Sequence, residues 1–282
     1  MGNGDAGGLG ELPTEEQARY LVACRQMTKL ALDHAIPITF APPLGRFAVP
    51  LRGGQIRTVT LPLTLGKIES ASGSVLHLQG EYFVVTAEHI LEEYEKRLSK
   101  GEVLNWQVGE LRFDPLPRVA WRGSSKRRSK DIVFLRVSEQ EARDACADRT
   151  IIISSPALWP PAAPQEGRTV LLAGFPTQLR EVDNGIIRPG PFSAMLPVTT
   201  STGDGTFKCR YNSDELISFN ELPLPLEEMR GSAGGVSGGP VFSMETISYP
   251  FVGVISERSG AYEEIDSFVI EAVDGVPSVF PG

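Results

Sequence analysis

A serine set among glycines, a histidine at the end of an apolar run and an aspartate at the mouth of another are the residues here best suited to chemistry. The serine is Ser237 in "GGVSGGPVF", residues 234–242. Acyl transfer needs a hydroxyl, a base to take its proton, a carboxylate to hold that base in one tautomer, and backbone donors facing the developing oxyanion. The glycines around Ser237 allow positive φ and close approach, so the N–H groups of Gly235 and Ser237 can converge on one oxygen. The same stretch also makes a tight turn without chemistry. The rest of the chain decides between the two.

The base has few candidates, because the chain holds three histidines. His34 falls in a helical stretch near the N-terminus. His77, in "VLHLQG", shares one face of a strand and reads as structural. His89 follows the apolar run "YFVVTAE" where a strand gives way to a helix, and a strand end is where a scaffold presents a side chain to a cleft. Asp131 stands between a very polar segment and the apolar run "IVFLRV". A carboxylate there is costly to bury without a partner, and the His89 ring N–H would supply one.

The elements that must position these groups are mostly strands. A Gly-rich start precedes one helix, signalled by a capping pair, Thr14 and Gln17, and by Tyr20, Ala23, Cys24, Met27, Leu30 and Ala31 at helical spacing. That helix either packs on the body of the protein or docks a partner. From about residue 55 the runs "IRTVTLPLTLGKIE", "GSVLHLQG", "YFVVT", "ELRF", "RVAWR" and "DIVFLRV" read as strands, with a helix over 89–100. After the Pro- and Ala-rich linker 154–167 the β character resumes in "RTVLLAGFP", "FSAMLPVTT", "GTFKCRYN", "PVFSM", "FVGVISE" and "SFVIEAV". The organisation predicted is an N-terminal extension (1–45) and a two-lobed domain (46–282). Its lobes are all-β, two six-stranded antiparallel barrels over about 50–153 and 168–275. The base and acid then belong to the first lobe and the nucleophile to the second.

Composition narrows the function classes. A net charge of −8 argues against nucleic acid, whose phosphates are held by clustered Lys and Arg. The one basic run, "RGSSKRRSK" over 122–130, reads as a solvated loop or as a docking or self-cleavage loop. Cys24, Cys146 and Cys209 are too few and scattered for a disulfide framework or for zinc ligation, so a reducing, cytoplasmic setting is expected, and acyl transfer by a serine needs neither metal nor organic cofactor. No run reaches the roughly 18 apolar residues of a membrane span. The start "MGNGDAGGLGELP" lacks the basic and apolar regions of a secretory signal, and Ala6 spoils a myristoylation site.

Four segments in order resemble the trypsin-like (chymotrypsin-fold) serine proteases. "VVTAEHI" is similar to their Thr-Ala-Ala-His segment, "DIVFLRV" to Asp-Ile-Ala-Leu-Leu, "GGVSGGPVF" to Gly-Asp-Ser-Gly-Gly-Pro, and "FVGVISE" to the strand that follows. "VLLAGFP" resembles the Gly-x-Pro turn of bacterial members. The resemblance, over about residues 55–270, implies a serine endopeptidase acting on proteins or peptides through His89, Asp131 and Ser237, with an oxyanion hole at Gly235 and Ser237. Ser256 then stands beside the triad, and Gly231, Ser256 and Arg258 line the substrate pocket. Arg258 replaces a usual glycine; it either meets an acidic residue in the pocket or turns to solvent. Val236 replaces the acid that pairs with a new amino terminus in zymogen-derived members. The site is therefore either formed without N-terminal cleavage or held latent until a partner or ligand binds. A trypsin-like fold kept as a binding or scaffold module is the alternative.

Overall fold

The computed structural model describes residues 14–50, 56–62, 68–123, 130–179, 181–183, 186–202, 205–211, 235–259, 266–278 and 280. The chain opens with α1 (Thr14–His34), β1 (Ile36–Ala41) and a hairpin of β2 (Leu44–Pro50) and β3 (Ile56–Pro62). Next come β4 (Glu69–Leu78), β5 (Glu81–Thr86), α2 (Glu88–Ser99), β6 (Asn105–Val108) and β7 (Leu111–Arg112). The first half ends with β8 (Val119–Arg122), β9 (Val133–Val137), α3 (Glu139–Cys146) and β10 (Ile152–Ser154). The second half holds β11 (Thr169–Gly174), the hairpin β12 (Glu181–Asp183) and β13 (Ile186–Arg188), then β14 (Phe192–Ser201) and β15 (Thr206–Tyr211). It ends with β16 (Pro240–Ser243), β17 (Phe251–Ser259) and β18 (Asp266–Ala272).

The second lobe is a closed antiparallel barrel in the order β11-β14-β15-β18-β17-β16. The first differs from the predicted six-stranded barrel. It is a curled eight-stranded sheet, β7-β6-β1-β4-β5-β9-β8, with β10 running parallel on β4. Its edge strands β7 and β8 follow one another in the chain, so the sheet curls to bring its ends together without closing a ladder among the described residues. The segment 1–45 supplies a strand as well as a helix, for β1 pairs with both β4 and β6.

The apolar runs of β5 and β9, and the apolar residues among the last four of β4, follow from their two-sided burial. Successive side chains on a strand face opposite ways. Val75, Val84 and Leu135 enter the first lobe's own core with Ile36, Leu91 and Trp106. Their neighbours Leu76, Phe83, Val85 and Phe134 face the seam between lobes and meet Leu171, Ala173, Phe242 and Val254 of the second. The C-terminal segment returns to this seam, where the Phe280 ring lies 4.7 Å from Phe83 and 5.0 Å from Phe134. Trp159, within the predicted linker 154–167, is buried there too and donates its indole N–H to the Pro277 carbonyl.

Helix α1 lies on β11, β14 and β16 of the closed barrel. Cys24, Thr28, Ala31 and Ala35 face inward at helical spacing, with Met27 and Leu30 half-buried beside them. Ala23, predicted on the apolar face, is exposed instead. Thr28 is buried in its place, its hydroxyl donating to the Cys24 carbonyl. The side chains of Thr14, Gln17 and Tyr20 lie outside the described residues.

At one point the lobes touch backbone to backbone. Gly238 has φ +85°, and a Cβ there would sit 2.1 Å from both the Ser72 carbonyl oxygen and Thr86 Oγ1. Any side chain would push the lobes apart in a conformation that L-residues rarely adopt. Gly238→Ala is expected to cost about 2 kcal/mol or more, as strain and overpacking combine. Urea unfolding checks this, and an unchanged midpoint would contradict so tight a seam.

Candidate active site

His89 is the second residue of α2. Its helix starts abruptly, because Ala87 at the N-cap has no side-chain acceptor for the free first-turn N–H groups. Asp131 fills that role from a distant part of the chain. It sits just before β9, and its Oδ1 accepts the His89 backbone N–H at 2.8 Å. Its Oδ2 accepts from His89 Nδ1 at 2.7 Å and from the Ser256 hydroxyl, on β17, at 2.6 Å. The carboxylate thus caps a helix, orients a ring and ties the two lobes together. The positive end of the α2 dipole also favours a negative charge there.

Burial alone would push the Asp131 carboxyl up. The His89 ring bond and charge, the Ser256 hydroxyl and the His89 backbone N–H outweigh it and hold the carboxyl below its ordinary value. An ionised carboxylate accepts only, so Nδ1 carries the ring proton and Nε2 of neutral His89 has a lone pair. His89 also lines a cleft of about 450 Å³ with Phe40, Glu69, Ser70, Ile90 and Glu92.

A second layer holds this pair. The Glu88 carboxylate is nearly dry, which pushes its pKa up against the opposing Arg122 contact. Arg122 Nε donates to Glu88 Oε1 at 2.9 Å, while its terminal nitrogens reach both oxygens of Glu95 at 2.9 and 3.2 Å. This clamps the first two turns of α2 to β8. Lys130, one residue before Asp131, donates to the Ala272 carbonyl at 2.7 Å and pairs with Asp274 beyond β18. The two ends of the basic run, Arg122 and Lys130, are therefore fixed structural cations; residues 124–129 lie outside the described residues. The braces Glu88, Arg122 and Lys130 were not legible as such, because nothing local links a helix start to a strand end 34 residues away.

Ser237 lies in the short turn between Gly235 and β16. Gly235 has φ +95° and Gly238 φ +85°. The Ser237 carbonyl accepts the Ser72 backbone N–H at 2.9 Å, and the Gly238 N–H donates to Ile255 at 2.6 Å. The N–H groups of Gly235 and Ser237 enter no hydrogen bond among the described residues. Val236 between them is buried in the core of the closed barrel. The structure thus brings the His89–Asp131 pair and the Ser237 turn to the same seam. Gly231 lies outside the described residues. Arg258 is placed by its backbone, opposite Phe268 of β18, and its side chain also lies outside them. Two other histidines are elsewhere: His34 bonds the Thr150 carbonyl at 2.9 Å, and His77 stacks on Tyr82 at 4.5 Å.

The trypsin family model matches residues 59–268, the greater part of the chain. The chain belongs to the trypsin family. It is a trypsin-like serine protease, and proteins or peptides are its substrate class. Among solved structures the chain is similar to a thermostable serine protease from an extremophilic microorganism, with 14% identity over 84% of this chain and 90% of that one and a TM-score of 0.45. It is also similar to a protease from Arthrobacter nicotinovorans, with 15% identity over 86% and 90% and a TM-score of 0.41. A human pathogenic astrovirus serine protease follows, with 11% identity over 83% and 88% and a TM-score of 0.37. A search of curated proteins finds no match. The family assignment rests on the matched segment.

For this trypsin-like protease the depressed Asp131 pKa is a stability term with a definite sign. A carboxylate held below its unfolded value of about 3.9 stabilises the fold above that pH and ceases to do so as pH falls through the folded value. Asp131→Asn should therefore unfold at lower urea than the unsubstituted chain near pH 7, and the gap should shrink below about pH 4. A gap constant down to about pH 3 would show that the charge is not what the site stabilises.

Proposed function

We propose that the chain is a serine endopeptidase in which Ser237 is the nucleophile, His89 the general base and acid, and Asp131 the residue that orients His89. The observation that carries this reading is the Asp131 carboxylate, which accepts a hydrogen bond from His89 Nδ1 at 2.7 Å and so keeps the proton on that nitrogen, with Nε2 as the ring atom that receives the Ser237 hydroxyl proton. Ser237 Oγ attacks the peptide carbonyl as its proton passes to Nε2. The same proton then goes to the leaving amine, and water repeats the sequence on the acyl-enzyme. The N–H groups of Gly235 and Ser237 hold the oxyanion, each contributing about 3–4 kcal/mol in the transition state. Free N–H groups on both residues among those described support that role.

The site is formed without N-terminal cleavage. Val236 supports this, since it is 1% exposed in an apolar core that would not admit a new amino terminus. A cytoplasmic setting of the bacterial kind accords with three free, buried cysteines. Burial pushes Cys146 up to about 11 and Cys209 up to about 12, so neither forms a thiolate near neutral pH. Among the described residues no helix is long and apolar enough to cross a membrane.

A fluorophosphonate probe tests the assignment. The unsubstituted protein should be labelled without any partner, Ser237→Ala and His89→Ala should not be, and Asp131→Asn should react about 10⁴-fold more slowly. Labelling that survives Ser237→Ala would remove the nucleophile from this reading. An unlabelled but folded protein that is labelled once a partner is added would be latent, and one that never reacts would be a binding module.

A further inference from the structure

We infer that Ser72, a β4 residue far from Ser237 in sequence, is a positioning residue for the oxyanion-binding turn. This rests on the reading of Ser237 as nucleophile. Ser72 is fully buried. Its hydroxyl accepts the Phe175 N–H at 2.8 Å and donates to the Gly235 carbonyl at 2.6 Å. A hydroxyl has one proton, and the bond from Phe175 fixes the side on which a lone pair is used, so that proton is committed to Gly235. The backbone N–H of the same residue donates to the Ser237 carbonyl at 2.9 Å.

These bonds fall on alternate peptide units of the turn. The Gly235 carbonyl belongs to the 235–236 unit and the Ser237 carbonyl to the 237–238 unit. Between them lies the 236–237 unit, which carries the Ser237 N–H. Both units that flank this donor are pinned to one residue of the opposite lobe. Without the hydroxyl, the Gly235 carbonyl keeps no partner among the described residues. Gly235 has φ +95° and no side chain to resist rotation of the peptide. The 235–236 unit can then turn, and the dihedral changes at Gly235 and Val236 shift the units on either side of it, which carry the Gly235 and Ser237 N–H groups, out of register. Phe175 and Thr177 crowd the other side of Gly235, where a Cβ would lie 2.5 Å from the Phe175 carbonyl and 2.8 Å from the Thr177 nitrogen. The hydroxyl is thus the element that selects one peptide orientation in a narrow slot. It does so without touching substrate.

Ser72→Ala separates positioning from mere structure when the fluorophosphonate reaction is resolved into kinact and KI. We expect kinact to fall about 10- to 100-fold, as for sub-ångström misplacement of catalytic groups, with KI within about threefold. Val198→Ala, in the core of the closed barrel, serves as a control for lost stability and should leave kinact unchanged. Should Ser72→Ala not fold, Ser72→Cys retains a weak donor and should give a smaller fall in kinact. A folded Ser72 variant that reacts at the full kinact overturns the inference while leaving the nucleophile in place. A kinact loss equal to that of Val198→Ala at matched stability overturns it as well. A folded, unsubstituted protein that takes no label with or without a partner overturns both this inference and the reading beneath it.

Discussion

A carboxylate largely withdrawn from water at the seam of two lobes must find its donors nearby, and the arrangement around Asp131 follows from that demand. Leaving such a charge without partners would cost several kcal/mol, enough to cancel much of a domain's net stability. Three donors answer it, two from His89 and one from Ser256. Because His89 and Ser256 belong to different lobes, the charge is satisfied only when the lobes are in register. The start of α2 depends on the same oxygen atoms, since its own N-cap offers none. One anion therefore fixes a helix end, a ring orientation and a lobe arrangement together.

The seam behind that charge is apolar and close-packed. Alternate residues of β4, β5 and β9 serve two cores at once, which ties the shape of the first sheet to the placement of the second barrel. The bulky contacts of Phe83, Phe134 and Phe280 set the spacing at one end of the seam. Glycine sets it at the other, where Gly238 lies against Ser72 and Thr86. Between these lies a set of directional bonds, including Thr86 Oγ1 to the Ser72 carbonyl at 2.7 Å. Packing brings the backbones near, and the hydrogen bonds decide how they are turned.

The periphery takes its form from the same economy of buried polar groups. Arg122 and Lys130 flank the segment that leads into Asp131, and each is anchored to carboxylates or carbonyls on a different element. Farther out, Arg118 and Glu141 make a bidentate pair that holds the Glu141 carboxyl down to about 2, where Glu141 also closes the capping box of α3. The N-terminal helix is fastened to the rest of the chain by backbone bonds, with Thr150 N–H donating to Asp33 and the Arg149 guanidinium to Leu32. That links α1 to the strand β10 and so to the first lobe, although its apolar face lies on the second.

Much of this was legible in the residues themselves. The apolar runs that became β5, β9, β11 and β17 were plain because strands buried on both faces need unbroken apolar sequence. His89 and Asp131 were legible because each polar group stands at the end of such a run, where burial demands a partner. The short strands β6, β10, β12 and β13 and the helix α3 were not, since segments of a few residues carry too little periodicity to announce themselves. Nor did the sequence indicate that the first sheet would stay open while the second closed, because closure depends on whether distant edges meet. Residue types and their order alone determined the chemistry available to the chain: a hydroxyl among glycines, an imidazole and a carboxylate. Tertiary structure alone decided that Ser72 would hold the turn before Ser237 and that Arg122 would brace Glu88, because a hydrogen bond is set by distance and direction in space. No rule of spacing along the chain encodes either.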